Sequence, residues 1–186
     1  MADVILFHHA QGLTEGMRSF AQKLRDAGHR VTVPDLYDGS TFDDLDEGVA
    51  HARSLGDAVD ERAFAAVEGL PDALVTMGFS LGIMPAQQLA QTRPGVVGCV
   101  LFTEAIPTAE FGTAWPAGVA LQVHIQEDDP WGDPAAAAQV VAEAADGELF
   151  TYPGAGHLVA DSSLASYEPA LAGPMLERTL AFLSRW

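Results

Sequence analysis

The chain has 186 residues, of which 48% are hydrophobic and 19% charged, a balance typical of an ordinary globular protein. This length is enough to bury a substantial core, and it predicts one domain over residues 1–186. The formal net charge of −17 argues against a nucleic-acid or anionic-membrane partner, because phosphate binding requires clustered Lys and Arg, and the sequence has no such cluster.

The first half of the chain alternates between apolar, strand-like runs and amphipathic, helix-like segments. Thr14 is placed to cap the first helix, because apolar residues follow it at the spacing of one helix face. The acidic, irregular stretch at 37–52 predicts a loop with a helical turn. The other predicted elements are a strand at 3–9, a helix at 14–28, a strand at 29–36, a helix at 53–69 and a strand at 72–79.

The second half continues this alternation. Asp133 and Pro134 mark the N-cap and the first residue of one of its helices. Only parallel strands joined by helical crossovers fit such an order, so we predict an α/β fold with about six mostly parallel strands and helices on both faces. Ligands of such sheets bind at the carboxyl ends of the strands. The predicted elements are a helix at 80–93, a strand at 96–103, a loop at 104–118, a strand at 119–126, a helix at 134–146, a strand at 148–152 and a helix at 168–185.

The N-terminus and the cysteine content favour a cytoplasmic location. Met1-Ala2-Asp3 lacks the basic start of a secretory leader, and no apolar run approaches the roughly 18 residues that a membrane span needs. The single cysteine, Cys99, cannot form an internal disulfide. It stands in an apolar strand-like run, so we expect it to pack in the core.

A candidate nucleophile stands at the end of the predicted strand 72–79. Gly78-Phe79-Ser80-Leu81-Gly82 is a G-x-S-x-G motif, which in some hydrolases lifts a serine hydroxyl above the sheet on a sharp strand-to-helix turn. The helix N-terminus below the serine offers free N–H groups to an oxyanion, and the Leu81 amide is the natural first donor.

A serine nucleophile needs a base and a carboxylate that orients the base. His157 is the best-placed histidine, because it follows the last predicted strand in a glycine-rich loop. Asp129 is the preferred carboxylate because it immediately precedes Pro130 at an outward turn, with Asp128 in reserve. The chain order Ser80, Asp129, His157 is that of the α/β-hydrolases.

The remaining candidates for the site lie on loops after other strands. Ala10 N–H is the preferred second oxyanion donor, with Gln11 next. Aromatic side chains on two loops expected to overhang the serine form either a substrate pocket or local packing. These aromatic side chains are Phe111, Trp115 and Trp131. Met84, in contrast, is expected to pack against the sheet rather than touch substrate.

Four segments together resemble the dienelactone hydrolase family of α/β-hydrolases, over nearly the whole chain. They are "LFHHAQGLTEGMRSFAQKLRDAGHRVTVPDLY", "GFSLG", "HIQEDDPW" and "YPGAGH". The resemblance implies a triad of Ser80, Asp129 and His157 that hydrolyses an ester or lactone through an acyl-enzyme. It also implies that the chain starts at the family's third strand, so the sheet should lack the family's antiparallel N-terminal strands.

The sequence departs from the family at three functional positions. Ser80 replaces the cysteine of the best-known members, so His157 must act as a true general base. His9 stands where those members carry a glutamate, and it either lines the substrate pocket or is a buried structural residue. Asp161 stands where an arginine grips a substrate carboxylate in the family. This last change, with the acidic composition, predicts a neutral or cationic ester.

The leading hypothesis is therefore a hydrolase that needs neither cofactor nor metal and acts on a small ester or lactone. One alternative is a noncatalytic small-molecule binding protein with a vestigial triad. Another is a thioesterase or acyltransferase that uses the same site. No face of the predicted fold can be assigned as an interface between copies of the chain.

Overall fold

Six strands form one sheet in the computed structural model, which describes residues 1–186. Their spatial order is β2-β1-β3-β4-β5-β6, and every pairing is parallel, as the alternating sequence pattern predicts. The strands are β1 (Asp3–Phe7), β2 (Arg30–Thr32), β3 (Leu74–Phe79), β4 (Val96–Phe102), β5 (Ala120–Gln126) and β6 (Gly147–Tyr152).

Six α-helices connect and cover these strands. Two short 3-10 helices, Ser80–Gly82 and Thr108–Phe111, lie on loops that follow β3 and β4. No helix is long and apolar enough to cross a bilayer. The α-helices are α1 (Glu15–Asp26), α2 (Leu45–Leu55), α3 (Ala58–Ala65), α4 (Ile83–Thr92), α5 (Pro134–Glu143) and α6 (Pro169–Leu183).

The helix caps agree with the sequence prediction. The Thr14 hydroxyl accepts a hydrogen bond from the Met17 N–H at 3.2 Å and so starts α1. The Asp133 carboxylate accepts from the N–H groups of the first turn of α5, which Pro134 opens.

The region predicted as a loop at 37–52 differs from the prediction, because its second half is helical. Asp44 caps α2 by accepting from the Glu47 N–H at 3.0 Å, although the acidic composition suggested irregular structure. Gly56, at φ 55°, then ends α2. The single helix predicted over 53–69 is consequently the end of α2 followed by the separate helix α3.

The core consists of two apolar layers, one on each face of the sheet. Val4 and Leu6 of β1 point to one face, while Ile5 and Phe7 point to the other. Helices α1 and α6 cover the first face, where 21 buried residues form one cluster. Helices α3, α4 and α5 cover the second face with a cluster of 23 buried residues. The four inner strands β1, β3, β4 and β5 are therefore buried on both faces, which explains their apolar sequences, whereas the edge strands β2 and β6 are only partly buried.

The strand order places a topological switch point between β1 and β3. The chain leaves β1 toward β2 on one side and returns to β3 on the other side. Phe7 at the end of β1 pairs with Gly78 near the end of β3. The loops after these two strands therefore diverge from one point, and a crevice at this position is the usual ligand site of such sheets.

Candidate active site

The turn at Ser80 has a backbone that two glycines make possible. Ser80 has φ 49°, a left-handed conformation that is uncommon outside glycine. A Cβ at Gly78 would lie 2.1 Å from the Gly82 carbonyl oxygen, and a Cβ at Gly82 would lie 2.5 Å from the Phe7 carbonyl oxygen. Both positions therefore exclude any side chain, and the turn packs directly against the end of β1.

His157 lies on the loop after β6, and this loop also depends on glycine. A Cβ at Gly156 would lie 2.5 Å from a Val159 methyl group and 2.8 Å from the Gln126 Oε1. The loop brings His157 Nε2 to 2.7 Å from Ser80 Oγ. The His157 side chain is 10% exposed, so one edge of the imidazole remains open to the surface.

Asp129, on the loop after β5, contacts the other nitrogen of the imidazole. Its Oδ2 lies 2.8 Å from His157 Nδ1, and its Oδ1 accepts from the Trp131 N–H at 2.9 Å. A carboxylate only accepts, so Nδ1 carries the proton and Nε2 is free to accept from the Ser80 hydroxyl. The reserve candidate Asp128 is exposed and forms neither a hydrogen bond nor an ion pair with His157.

The loop after β1 carries the amides predicted as a second oxyanion donor. The Gln11 N–H donates to His9 Nδ1 at 3.2 Å and is therefore already engaged. The buried Ala10 amide donates to no acceptor within the protein. The Leu81 amide lies in the first turn of the 3-10 helix, where N–H groups have no acceptor within the helix.

His9 does not line a substrate pocket, so the pocket prediction for this residue is wrong. Its side chain is fully buried, and Nε2 lies 2.8 Å from Asp161 Oδ2. Asp161 also accepts from the Thr14 hydroxyl and from the Ser163 N–H and hydroxyl. Burial alone raises the pKa of Asp161, but the hydrogen bonds from His9, Thr14 and Ser163 outweigh it and hold the pKa at about 2. This buried cluster joins the loop after β1, the start of α1 and the loop beyond His157.

Two open clefts flank His157. The first, which we call the Trp131 cleft, has a volume of about 210 Å³. The second, the Gln11 cleft, has a volume of about 240 Å³. The Trp131 cleft is lined by Ser80, Leu81, Ile83, Met84, Thr103, Glu104, Ile106, Trp131 and His157. The Gln11 cleft is lined by Gln11, Asp43, Asp44, Leu45, His157, Leu158, Leu164, Ala165 and Ser166.

The predicted pocket residues separate into two groups. Trp131 and Gln11 line the clefts, and the Trp131 ring centroid lies 6.1 Å from that of His157. Trp115 is instead a core residue, 6% exposed, whose indole N–H donates to the Val119 carbonyl. Phe111 is half-buried on its 3-10 helix and lines neither cleft. For Trp115 the packing interpretation is therefore correct and the pocket interpretation is wrong, whereas Phe111 lies outside both clefts.

Sequence reasoning missed several residues of the Trp131 cleft. Met84 is 42% exposed and lines the cleft, which contradicts its expected packing against the sheet. Thr103 and Glu104 follow β4 directly, so the rule that ligands bind at the carboxyl ends of strands could have pointed to them. Burial is the main cause that raises the pKa of Glu104; Asp133 and Asp129 add to it, while His157 opposes it.

The other reactive groups are remote from this chemistry. Cys99 is buried, and burial raises the pKa of its thiol to about 12, so it packs in the core as expected. No group of three or more His, Cys, Asp or Glu side chains is arranged to hold a metal ion.

The fold is that of an α/β-hydrolase. Its sheet is wholly parallel, a serine flanked by two glycines follows β3, and an aspartate and a histidine lie on later loops. The chain belongs to the dienelactone hydrolase family, whose sequence pattern matches residues 1–186. The resemblance seen in the sequence is thus confirmed, and the family supports a hydrolytic function. A comparison with curated proteins gives no significant match.

Solved structures share this fold at low sequence identity. A Klebsiella pneumoniae protein proposed to be a dienelactone hydrolase has a TM-score of 0.73 and 20% identity, covering 100% of this chain and 88% of that one. The dienelactone hydrolase-like promiscuous phosphotriesterase P91, from metagenomic libraries, has a TM-score of 0.71 and 20% identity, covering 100% and 86%. Dienelactone hydrolase from Anabaena variabilis has a TM-score of 0.69 and 17% identity, covering 100% and 87%. At these identities the likeness shows the fold alone.

Proposed function

We propose that the protein is a serine hydrolase that cleaves a small, neutral or cationic carboxylic ester or lactone through an acyl-enzyme. The observation that carries this proposal is the continuous hydrogen-bond chain from Ser80 through His157 to Asp129, with contacts of 2.7 and 2.8 Å. Nucleophile, base and orienting carboxylate are already within proton-transfer distance, so no rearrangement is needed before substrate binds.

In the first half of the reaction, His157 Nε2 takes the proton of Ser80 as Oγ attacks the substrate carbonyl carbon. Asp129 holds the imidazole in the required tautomer and stabilises the imidazolium that forms. The tetrahedral intermediate then collapses, and His157 gives its proton to the leaving alkoxide oxygen. The alcohol departs, and the acyl group remains as an ester on Ser80.

In the second half, water takes the place of the alcohol. His157 removes a proton from the water, the resulting hydroxide attacks the acyl carbon, and the second tetrahedral intermediate releases the carboxylic acid. His157 returns the proton to Ser80 Oγ, which restores the starting state. A lactone follows the same steps, except that its alcohol stays attached to the acyl chain.

The amides of Leu81 and Ala10 are the proposed donors to the oxyanion. Both lie at the switch point between β1 and β3. The Ala10 N–H donates to no acceptor within the protein, and the Leu81 N–H has no acceptor within its 3-10 helix. A single donor of this kind contributes about 3 kcal/mol to the stabilisation of a transition state. The Gln11 amide is a weaker candidate because its N–H already donates a hydrogen bond to His9 Nδ1.

The two clefts favour small substrates without an anionic group. Their volumes, about 210 and 240 Å³, suit short acyl and alcohol groups. Neither cleft is lined by Lys or Arg, whereas Asp43, Asp44 and Glu104 contribute carboxylates. A substrate carboxylate would therefore meet repulsion and no partner.

Labelling with a fluorophosphonate probe tests the nucleophile. We expect covalent modification of Ser80 in the wild type, none in Ser80→Ala, and slow modification in His157→Ala. Absence of labelling in folded wild-type protein would contradict the proposal and favour the noncatalytic binding protein.

Kinetics on short p-nitrophenyl esters, lactones and acyl thioesters test the reaction class. Asp129→Asn is expected to lower kcat by a factor on the order of 10⁴, because the amide favours the wrong imidazole tautomer. The matched control, Asp128→Asn, changes a neighbouring exposed carboxylate and should leave kcat within about twofold of the wild type. Faster turnover of thioesters than of oxygen esters would move the assignment to a thioesterase.

A further inference from the structure

A carboxylate without a protein partner lines the cleft beside Ser80. Glu104 is half-buried and lines the Trp131 cleft, yet it forms no hydrogen bond and no ion pair within the protein. A partly buried charge is normally compensated by a neighbour. An uncompensated carboxylate next to the candidate nucleophile therefore points to a ligand as its missing partner.

The backbone that presents Glu104 is strained. Thr103 has φ 95°, a conformation that is a clear outlier for a β-branched residue. Its hydroxyl is buried and has no hydrogen-bond partner, so local side-chain bonding does not explain this conformation. Strain of this kind persists where the surrounding structure enforces it, and it clusters at functional sites. At Thr103 the chain turns from the end of β4 into the wall of the cleft, and Glu104 follows directly.

The segment that carries Trp131 packs closely against this strained turn because of a glycine. A Cβ at Gly132 would lie 2.5 Å from the Thr103 carbonyl oxygen, so only glycine permits this approach. The preceding residue, Trp131, lines the same cleft as Glu104 and is 46% exposed. An exposed indole and a free carboxylate thus border one cleft beside Ser80.

This combination has a specific ligand chemistry. The face of an indole attracts organic cations, and tryptophan is the strongest aromatic partner for quaternary ammonium groups. A carboxylate adds a direct charge interaction, which is stronger in a partly desolvated cleft than in water. The net charge of −17 adds a long-range field that attracts cations.

We propose that Glu104 and Trp131 form a subsite for an ammonium group on the substrate, so that the enzyme prefers esters whose alcohol carries a quaternary amine. The inference rests on the proposed hydrolase function, because the subsite lies in the cleft that contains Ser80. The ester carbonyl is held at Ser80 while the cation lies between the indole and the carboxylate.

A pair of isosteric substrates isolates the charge. Acetylcholine and 3,3-dimethylbutyl acetate have the same shape, but only the first is cationic, and acid release at pH 8 reports the hydrolysis of both. We expect wild-type kcat/KM to be about tenfold higher for acetylcholine. Glu104→Gln and Trp131→Leu should each bring the ratio of the two kcat/KM values close to one. Trp131→Phe, which keeps an aromatic face, should retain most of the preference.

Glu110→Gln is the matched control, because Glu110 is an exposed glutamate on the same loop and lines neither cleft. It should leave the ratio unchanged. A wild-type ratio near one, or a high ratio that survives Glu104→Gln, would overturn the subsite.

Binding without turnover separates this inference from the hydrolase proposal. Benzyltrimethylammonium is titrated into the protein, and its binding is followed by tryptophan fluorescence. Glu104→Gln should weaken this binding about fivefold or more. If neither ester is hydrolysed but this weakening is observed, the subsite stands and the hydrolase assignment fails. Equal affinity of the wild type and Glu104→Gln overturns the subsite whatever the enzymatic activity.

Discussion

Replacing Asp161 by asparagine is expected to destabilise the protein strongly, although the change is nearly isosteric. The carboxylate is 1% exposed and accepts from His9, from the Thr14 hydroxyl and twice from Ser163. Four donors converge on two oxygens, whereas asparagine offers one oxygen and an NH₂ group. At least one buried donor would then face another donor.

The magnitude follows from two contributions. Lowering the pKa of Asp161 from 3.8 to about 2 favours the ionised form in the folded state by roughly 2.5 kcal/mol. A buried donor left without an acceptor costs a further 1 to 3 kcal/mol, approximately. Asp161→Asn should therefore lower the free energy of unfolding by about 3.5 to 5.5 kcal/mol at pH 7.

Urea denaturation followed by circular dichroism measures this loss, with Asp72→Asn at an exposed position as the control. The pH dependence provides a second check. The Asp161 carboxylate has a lowered pKa, so its stabilisation is complete above about pH 4 and is lost as the pH falls toward 2. The difference between wild type and Asp161→Asn should shrink by about 1 kcal/mol at pH 3.

If Asp161→Asn lowers the free energy of unfolding by less than about 1 kcal/mol at pH 7, the reasoning is refuted, because ordinary surface substitutions alone reach about half that value. A difference that stays constant down to pH 3 would refute the assignment of the charge to Asp161. A large loss in Asp72→Asn would show that the assay responds to net charge rather than to the buried cluster.

Three further predictions concern stability and reactivity. Burial lowers the pKa of His8 to about 4 and that of His124 to about 3, so their contribution to stability is complete above pH 6.5. The free energy of unfolding should fall by a few kcal/mol, approximately, between pH 6.5 and 4, and a constant value would contradict this. Gly82→Ala should lower the melting temperature and abolish fluorophosphonate labelling, because its Cβ would lie 2.5 Å from the Phe7 carbonyl oxygen; normal labelling would refute this close packing. Cys99 should resist iodoacetamide in the folded protein and react only in urea, whereas reaction in the native state would show an exposed thiol.

Much of the fold and the centre of the site could be predicted because these features depend on local chemistry. The caps at Thr14 and Asp133 and the alternation of apolar runs specify elements through contacts between residues near in sequence. Likewise, the glycines around Ser80 identify a sharp turn from the motif alone.

The sequence by itself determined the alternation of strands and helices, the parallel sheet and the membership of a hydrolase family. Tertiary structure alone decided that His9 and Trp115 are buried, that Met84 is exposed, and that Glu104 borders the cleft. The physical reason is that the exposure of a side chain depends on which distant segments cover it. Ser80 and His157 are 77 residues apart, and only the folded sheet brings their atoms within 2.7 Å.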